Sequence, residues 1–282
     1  MSTTVIDYRR KIYATRDLPT LPIIAQRILT LTDDEDTATE QLAKIIASDQ
    51  SLTVRILSLA NSAYYGHRAQ IATLWQAIVV IGWTMLKQVS LSVLICKALG
   101  PGGNRNQFWR HSLMAANAAA STATRAGAKN AETAYVAGLL HDVGKLVLDI
   151  SFPIEYAEVR QMVERDRCSF VDAEQIVFQT DHVEVGAWMA ERWQLPPELI
   201  AAIGLHHTPE APAGPHAMLI ASAYAANAIV TAADQLEEKP GTPVSIELPE
   251  PIASTLKIPT MGLIQLATEL QGKRKQIEQL LE

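Results

Sequence analysis

Cysteine is nearly absent from this 282-residue chain, with Cys96 and Cys168 the only two. Each has apolar neighbours, so two buried or half-buried thiols are expected rather than a disulfide, and a four-cysteine zinc site is excluded. Positive charge is also scarce: Lys and Arg number 24 against 30 Asp and Glu, a formal net charge of −6. No global positive field therefore draws the chain to nucleic acid. Long apolar runs are lacking, since the longest are broken by Gly82, Lys87 and Lys97, and no membrane span is expected. The first residues soon reach Asp7-Tyr8-Arg9-Arg10, which does not read as a signal peptide, and a cytoplasmic protein fits best. Aromatic–basic interleaving is missing as well. Arg10, Lys11, Arg16 and Arg27 are followed by Asp33-Asp34-Glu35-Asp36, and Arg55 and Arg68 around Tyr64-Tyr65 read as an ordinary solvated face, so nucleic acid is not an expected partner.

What is present is a folded balance of 48% hydrophobic and 19% charged residues, with length enough to bury a substantial core. Apolar residues recur at helical spacing nearly throughout. Leu21, Ile24, Ile28 and Leu31 form one such face, and Leu52, Ile56, Leu59 and Ala60 another. Further helices are expected over Thr73–Ile81, stopped by Gly82, and over Thr84–Leu99. Gly100 to Asn106 is a break, and the boundary between a first helical subdomain (1–103) and a second domain (104–282) is set there. The second half opens with an alanine-rich helix, Gln107–Arg125. A helix then runs from Asn130 to about His141, where Gly144 interrupts it. Pro153 opens another; Ser169–Phe178 leads to Thr180-Asp181, an N-cap for the helix carrying His182. Pro196-Pro197 opens a short helix that reaches His206-His207. Ala217–Asp234 is helical, Lys239–Pro259 reads as a loop with a short extended piece at Ser245–Leu248, and Thr260 caps a last amphipathic helix. No alternating run is long enough for a central sheet, so an all-α fold follows.

Seven histidines occur in the chain. His111, His141, His182, His206 and His207 lie in predicted helices or at their ends, and Asp142 follows His141 directly. An aspartate beside a histidine supplies one oxygen and one nitrogen donor, a mix suited to Fe, Mn or Zn. Near a helix end the backbone can turn so that both face one point, which mid-helix neighbours cannot do. Gly186, one turn after His182, is expected to leave room for an imidazole or a ligand. Spacing alone leaves two readings open, hydrogen-bonded core histidines or one metal centre. His67 and His216 fit the former.

The run His141-Asp142-Val143-Gly144-Lys145, with His111 before it and His182, His206 and His207 after it, resembles the HD superfamily of metal-dependent phosphohydrolases. The first half is similar to its HDOD branch. Leu18-Pro19-Thr20-Leu21-Pro22, Ile45-Ile46-Ala47-Ser48-Asp49, Leu57-Ser58-Leu59-Ala60-Asn61-Ser62 and Ala77–Gly82 carry that likeness, over roughly residues 10 to 235. The resemblance implies an N-terminal helical subdomain packed on an HD-type helical domain. It implies one or two divalent ions (Fe, Mn, Mg or Zn) held by His111, His141, Asp142, His182, His206 and His207, with Lys145 contacting phosphate. The family's closing aspartate aligns with Asn227, and the Gly-Tyr-Pro signature of the cyclic-dinucleotide phosphodiesterase branch is absent; Thr208-Pro209-Glu210 stands there instead. An amide oxygen is neutral where a carboxylate is charged. With Asp142 the only carboxylate ligand, a dinuclear centre is undercharged, and a mononuclear site or a vacant polar pocket is easier to sustain.

Three functions of different kinds are weighed, the first two implied by the resemblance. The first is a bacterial signalling protein that acts through a protein partner and has lost catalytic residues. The second is a phosphohydrolase or cyclic-dinucleotide phosphodiesterase, in which His111, His141, Asp142 and His206 hold a metal and Lys145 steadies a phosphate-containing small molecule. The third, a nucleic-acid-binding module, is disfavoured by the charge distribution. The closing helix around Lys273-Arg274-Lys275 packs back on the chain or mediates self-association. Asn61-Ser62 reads as a local helix-terminal hydrogen-bonding turn.

Overall fold

Helices follow one another with no strand among the described residues of the computed structural model, which are 8–14, 20–31, 35–61, 71–100, 105–129, 131–210 and 214–278. In chain order they are α1 (Tyr8–Ala14), α2 (Ile23–Leu29), α3 (Glu35–Ala47), α4 (Gln50–Ala60), α5 (Leu74–Ile81), α6 (Trp83–Leu99), α7 (Arg105–Arg125) and α8 (Ala131–Leu140). Then come α9 (Val143–Ser151), α10 (Pro153–Asp166), α11 (Phe170–Phe178), α12 (His182–Arg192), α13 (Pro197–Leu205), α14 (Ala217–Glu238), α15 (Glu250–Leu256) and α16 (Thr260–Glu278). The all-α expectation holds. The turn expected at Tyr64–His67 and residues 101–104 of the expected break lie outside the described residues.

Local chemistry sets the ends of the first-half helices. Asp49 caps α4 by accepting from the Ser51 and Leu52 amides, and Thr73 forms a reciprocal capping box with Gln76 at α5. Such caps satisfy amides that the helix itself leaves unpaired. Asn61 ends α4 and has the structural role expected of it. Its Nδ2 donates to the carbonyls of Leu57 and Ile71, and its Oδ1 accepts from the Ile71 amide, each at 2.8 Å. Gly82, at φ +82°, joins α5 to α6 across a 113° bend, a backbone region that side-chain-bearing residues avoid. Leu42, Ile46, Leu52, Ile56, Leu86, Leu91 and Ile95 are fully buried between these helices. The first half packs on the second through α6 and α8, where Tyr135 and Ser92 share a buried hydrogen bond of 2.9 Å.

In the second half α7 and α8 lie close because their facing residues are small. A Cβ on Gly138 would come within 2.5 Å of the Ala115 carbonyl oxygen, so only glycine fits there. α14 and α16 close over the outer side of α7. Arg125 donates to the Gly262 carbonyl, Gln265 and Glu269 on α16, and Arg274 on α16 reaches back to Asp234 and Glu237 on α14. The closing helix thus packs on its own chain, the first of the two expectations for it. α14 is the one described helix long and apolar enough by itself to cross a membrane, and over half of that stretch is buried here.

Two segments differ from the sequence reading. Gly144 does not interrupt the chain; α9 runs through it from Val143 to Ser151. The expected loop at 239–259 contains α15, with Pro249 as its N-cap and Pro251 in its first turn. Proline at a helix start forfeits only an amide that would be unpaired anyway, so the two prolines there did not preclude a helix. The short extended piece at Ser245–Leu248 is not a strand, although Ile246 is buried.

Candidate metal centre

Six elements deliver the site. His111 stands on α7; His141 and Asp142 form the tight turn between α8 and α9; Lys145 is on the first turn of α9. His182 opens α12, His206 caps the end of α13 with His207 next, and Asn227 lies midway along α14. The turn at 141–142 lets two successive side chains face the same point. Asp181 fixes the start of α12, accepting from the Val183 and Glu184 amides at 2.9 Å each.

Asp142 is the centre. Its carboxylate is 3% exposed, and its two oxygens serve two groups of nitrogens. On the Oδ2 side stand His141 Nε2 at 3.3 Å, His111 Nε2 at 3.5 Å and the Lys145 ammonium at 2.7 Å. On the Oδ1 side stand His182 Nε2 at 3.2 Å and His206 Nε2 at 3.6 Å. His111 and His141 approach each other at 3.4 Å through their Nε2 atoms. The exposed His207 ring lies 4.3 Å from His206 and 5.2 Å from His182, centre to centre. The Asn227 amide lies close enough to His111 to favour the charged form of its ring. Every candidate from the sequence therefore meets here, in two donor sets that share Asp142: Asp142, His182, His206 and His207 on one side, and His111, His141 and Asp142 on the other, each within 4.8 Å.

The ring tautomers show what the space accepts. His141 Nδ1 donates to the Gly138 carbonyl at 2.8 Å and His206 Nδ1 to the Ile203 carbonyl at 2.7 Å. Carbonyls only accept, so in the neutral rings both Nε2 atoms present lone pairs toward the Asp142 carboxylate. His182 Nδ1 likewise faces the Glu174 carboxylate at 2.6 Å. Asp142 Oδ1, His182 Nε2 and His206 Nε2 are buried without a hydrogen-bond partner. Ligands about 2.1 Å from a tetrahedral ion stand roughly 3.4 Å apart, and the five nitrogen–oxygen and nitrogen–nitrogen separations of 3.2–3.6 Å match that edge. The residues fit a divalent ion.

Electrostatics agree. Burial alone would raise the Asp142 carboxyl, yet His141 and Lys145 hold it well below the usual carboxylate range. Burial pushes His206 well down and takes His111 and His207 to about 4, so all three are neutral, as ligands must be. His182 is also buried, but the Asp142 and Glu174 carboxylates on either side of its ring raise it above its ordinary value.

Glu174 is the residue that sequence reasoning missed. It lies on α11, is fully buried, and accepts from Tyr156 through Oε1 at 2.9 Å and from both the His182 amide and its ring through Oε2. Its charge stands behind His182 and not in a donor set, so Asp142 is still the one carboxylate in the two donor sets found among the described residues. A charged residue on the buried face of an amphipathic helix was the available signal. Gly186 also differs: it leaves no ligand space but seats Ile203 and the α9 backbone, 3.0 Å and 3.5 Å from where its Cβ would be. Asp234, seven residues past Asn227, pairs with Arg274 and takes no part.

An HDOD domain model matches residues 18–209, well over half the chain. The chain belongs to the HDOD family. In structure it is similar to an HDOD domain protein of unknown function from Geobacter sulfurreducens, with 29% identity, 97% of this chain and 95% of that one covered, and a TM-score of 0.78. The same fold occurs in a Shewanella amazonensis chain provisionally described as a phosphohydrolase, at 22% identity, 99% coverage of both and a TM-score of 0.73. A curated Treponema pallidum protein of uncharacterised role is 28% identical over 202 residues, 70% of this chain; the chain spans 39% of that relative's length.

Proposed function

We propose that this chain is a bacterial signalling module that holds a divalent ion in its second half and acts through contacts with a protein partner, with phosphoester turnover weak or lost. The observation that carries the reading is the amide of Asn227 beside His111, where a catalytic relative would bring a second carboxylate ligand. A two-ion centre there would lack the negative charge to hold both ions. Support for a protein contact comes from the first half, where Trp75 and Val79, one turn apart on α5, are 64% and 73% exposed. Exposed tryptophan and aliphatic side chains on one face mark binding surfaces more often than ordinary ones.

The second reading, a metal-dependent phosphohydrolase or cyclic-dinucleotide phosphodiesterase, is favoured by Lys145. Its ammonium sits 2.7 Å from Asp142 and 4.7 Å from the centre of the Phe170 ring. In that role His111, His141, Asp142, His182, His206 and His207 would hold the metal, which supplies Lewis acidity when bound, while Lys145 would offset phosphate charge. Metal analysis paired with phosphodiesterase assays in supplied Mn, Fe and Mg separates the two. Tight metal binding without turnover is expected. Turnover abolished in both His141→Ala and Asp142→Ala would overturn the regulatory reading in favour of the enzyme.

A further inference from the structure

The two donor sets around Asp142 are not equivalent, and the difference lies in what already surrounds each one. On the Oδ2 side an ammonium, Lys145, is hydrogen-bonded to the shared carboxylate at 2.7 Å, and the closing group is the neutral Asn227 amide. A divalent ion added there would meet a resident positive charge and no second carboxylate. On the Oδ1 side the carboxylate oxygen, His182 Nε2 and His206 Nε2 are the three buried atoms of the centre without a hydrogen-bond partner, and His207 closes the group from the solvent side. Behind His182 stands Glu174, fully buried, with every oxygen engaged by Tyr156 or His182.

We infer that the chain holds a single divalent ion on the Asp142 Oδ1–His182–His206–His207 side, and that Glu174 is the positioning residue that selects this side. The inference rests on the metal-binding reading above and adds where the ion sits and what makes that place preferable. Glu174 acts through His182 in two ways. Its Oε2 takes both the ring Nδ1–H and the backbone N–H of one residue, which fixes the ring plane and leaves Nε2 as the lone-pair donor. Its charge also makes that donor more basic, as a carboxylate behind a ligating histidine does. The charges then nearly balance: two carboxylates against one ammonium and one divalent ion leave a single positive charge, which one hydroxide or phosphate oxygen neutralises. A second ion would leave three. His111 and His141, on the other side, have a backbone carbonyl and an amide for company and no carboxylate of their own beyond the shared Asp142.

The test uses the full chain, stripped of metal, and titrates it with Zn²⁺ against a competing chelator, and with Co²⁺ read by its visible absorption. Wild type is expected to take one equivalent. His206→Ala should weaken binding at least a hundredfold, and His111→Ala by no more than about threefold. Glu174→Gln keeps the shape and all three hydrogen bonds, since its amide oxygen can accept from His182 and its NH₂ can donate to the Tyr156 oxygen. It removes only charge, so the metal-free melting temperature should hold while affinity falls about 10–100-fold and the Co²⁺ spectrum shifts. Two equivalents of similar affinity, a His111→Ala loss as large as that of His206→Ala, or Glu174→Gln binding as tightly as wild type would each overturn the inference while leaving a metal-binding protein. The stoichiometry and the His111/His206 comparison decide it even if Glu174→Gln fails to fold. No binding of either ion by wild type would sink the metal reading itself.

Discussion

Replacing Gly144 by alanine should do more damage than the same change at any other described helical glycine. An added Cβ would lie 2.0 Å from the His182 carbonyl oxygen and 2.8 Å from the Gly186 nitrogen, both backbone atoms of α12. No rotamer change can relieve a backbone clash, so α9 and α12 must separate by roughly an ångström or more, and overpacking of that kind costs about 1–3 kcal/mol or more. For a chain of this size that is a fall in melting temperature of roughly 2–4 °C per kcal/mol. The shift is not confined to stability. α12 begins at His182 and α9 follows directly from Asp142, so parting the two helices moves His182 Nε2 off its 3.2 Å approach to Asp142. Two controls fix the scale. Gly186→Ala presses on the Ile203 methyl at 3.0 Å and otherwise makes ordinary contacts, the Gly144 nitrogen at 3.5 Å being the nearest, and Gly272→Ala on α16 meets nothing within 4 Å; the latter should stabilise by up to about 1 kcal/mol through helix propensity. Thermal melts of the metal-free proteins and Zn²⁺ titrations give both readouts. A Gly144→Ala protein that melts with Gly272→Ala and binds metal as wild type does would refute the close-packing account.

Metal-free protein should lose stability as pH falls from about 6.5 toward 4. His111 and His207 titrate near 4 when folded, pushed down by burial, and His206 lies well below its ordinary value for the same reason. The unfolded chain binds these protons near 6.5 and the folded chain does not, so stability rises with pH across that window; His182, which is raised, acts in the opposite sense. Urea melts in chelator between pH 7 and 4.5 should show the slope, with His207→Gln flattening it, and a flat profile in wild type would contradict the burial argument. Asp181→Ala removes the cap of α12 and should cost about 1 kcal/mol. It should also weaken Zn²⁺ binding, because the frayed first turn is the one that holds His182; unchanged affinity in a destabilised protein would separate cap from site.

The sequence made the helices and the histidine set legible for a common reason: both depend on which residue types recur at which spacing. Asp181 before His182, Pro153 and Pro197 at helix starts, and Gly82 between α5 and α6 each marked a boundary by chemistry that acts within a turn. Glu174 was not legible in the same way. Its place four residues from both Phe170 and Phe178 puts it on the apolar face of α11, but its meaning comes from His182, eight residues on and in another helix, and from Tyr156 on a third. Gly144 and Gly186 were read as places for bends and ligands, whereas their absent side chains serve the crossing of α9 on α12. That crossing depends on which helices meet, which spacing along one helix does not encode. The division at residue 103 remains our proposal, resting on composition around the break.

The family match ends at residue 209, but the helices that cover α7 do not. α14 and α16 lie beyond that point, joined by Arg274 and tied to α7 by Arg125. A fragment trimmed to the recognisable span would leave the alanine-lined flank of α7 wet and His111 without its neighbour Asn227. The cooperative unit is thus longer than its evolutionary hallmark. Whatever shifts α16 is mechanically connected through Arg125 to the helix that carries His111, and through Arg274 to the one that carries Asn227.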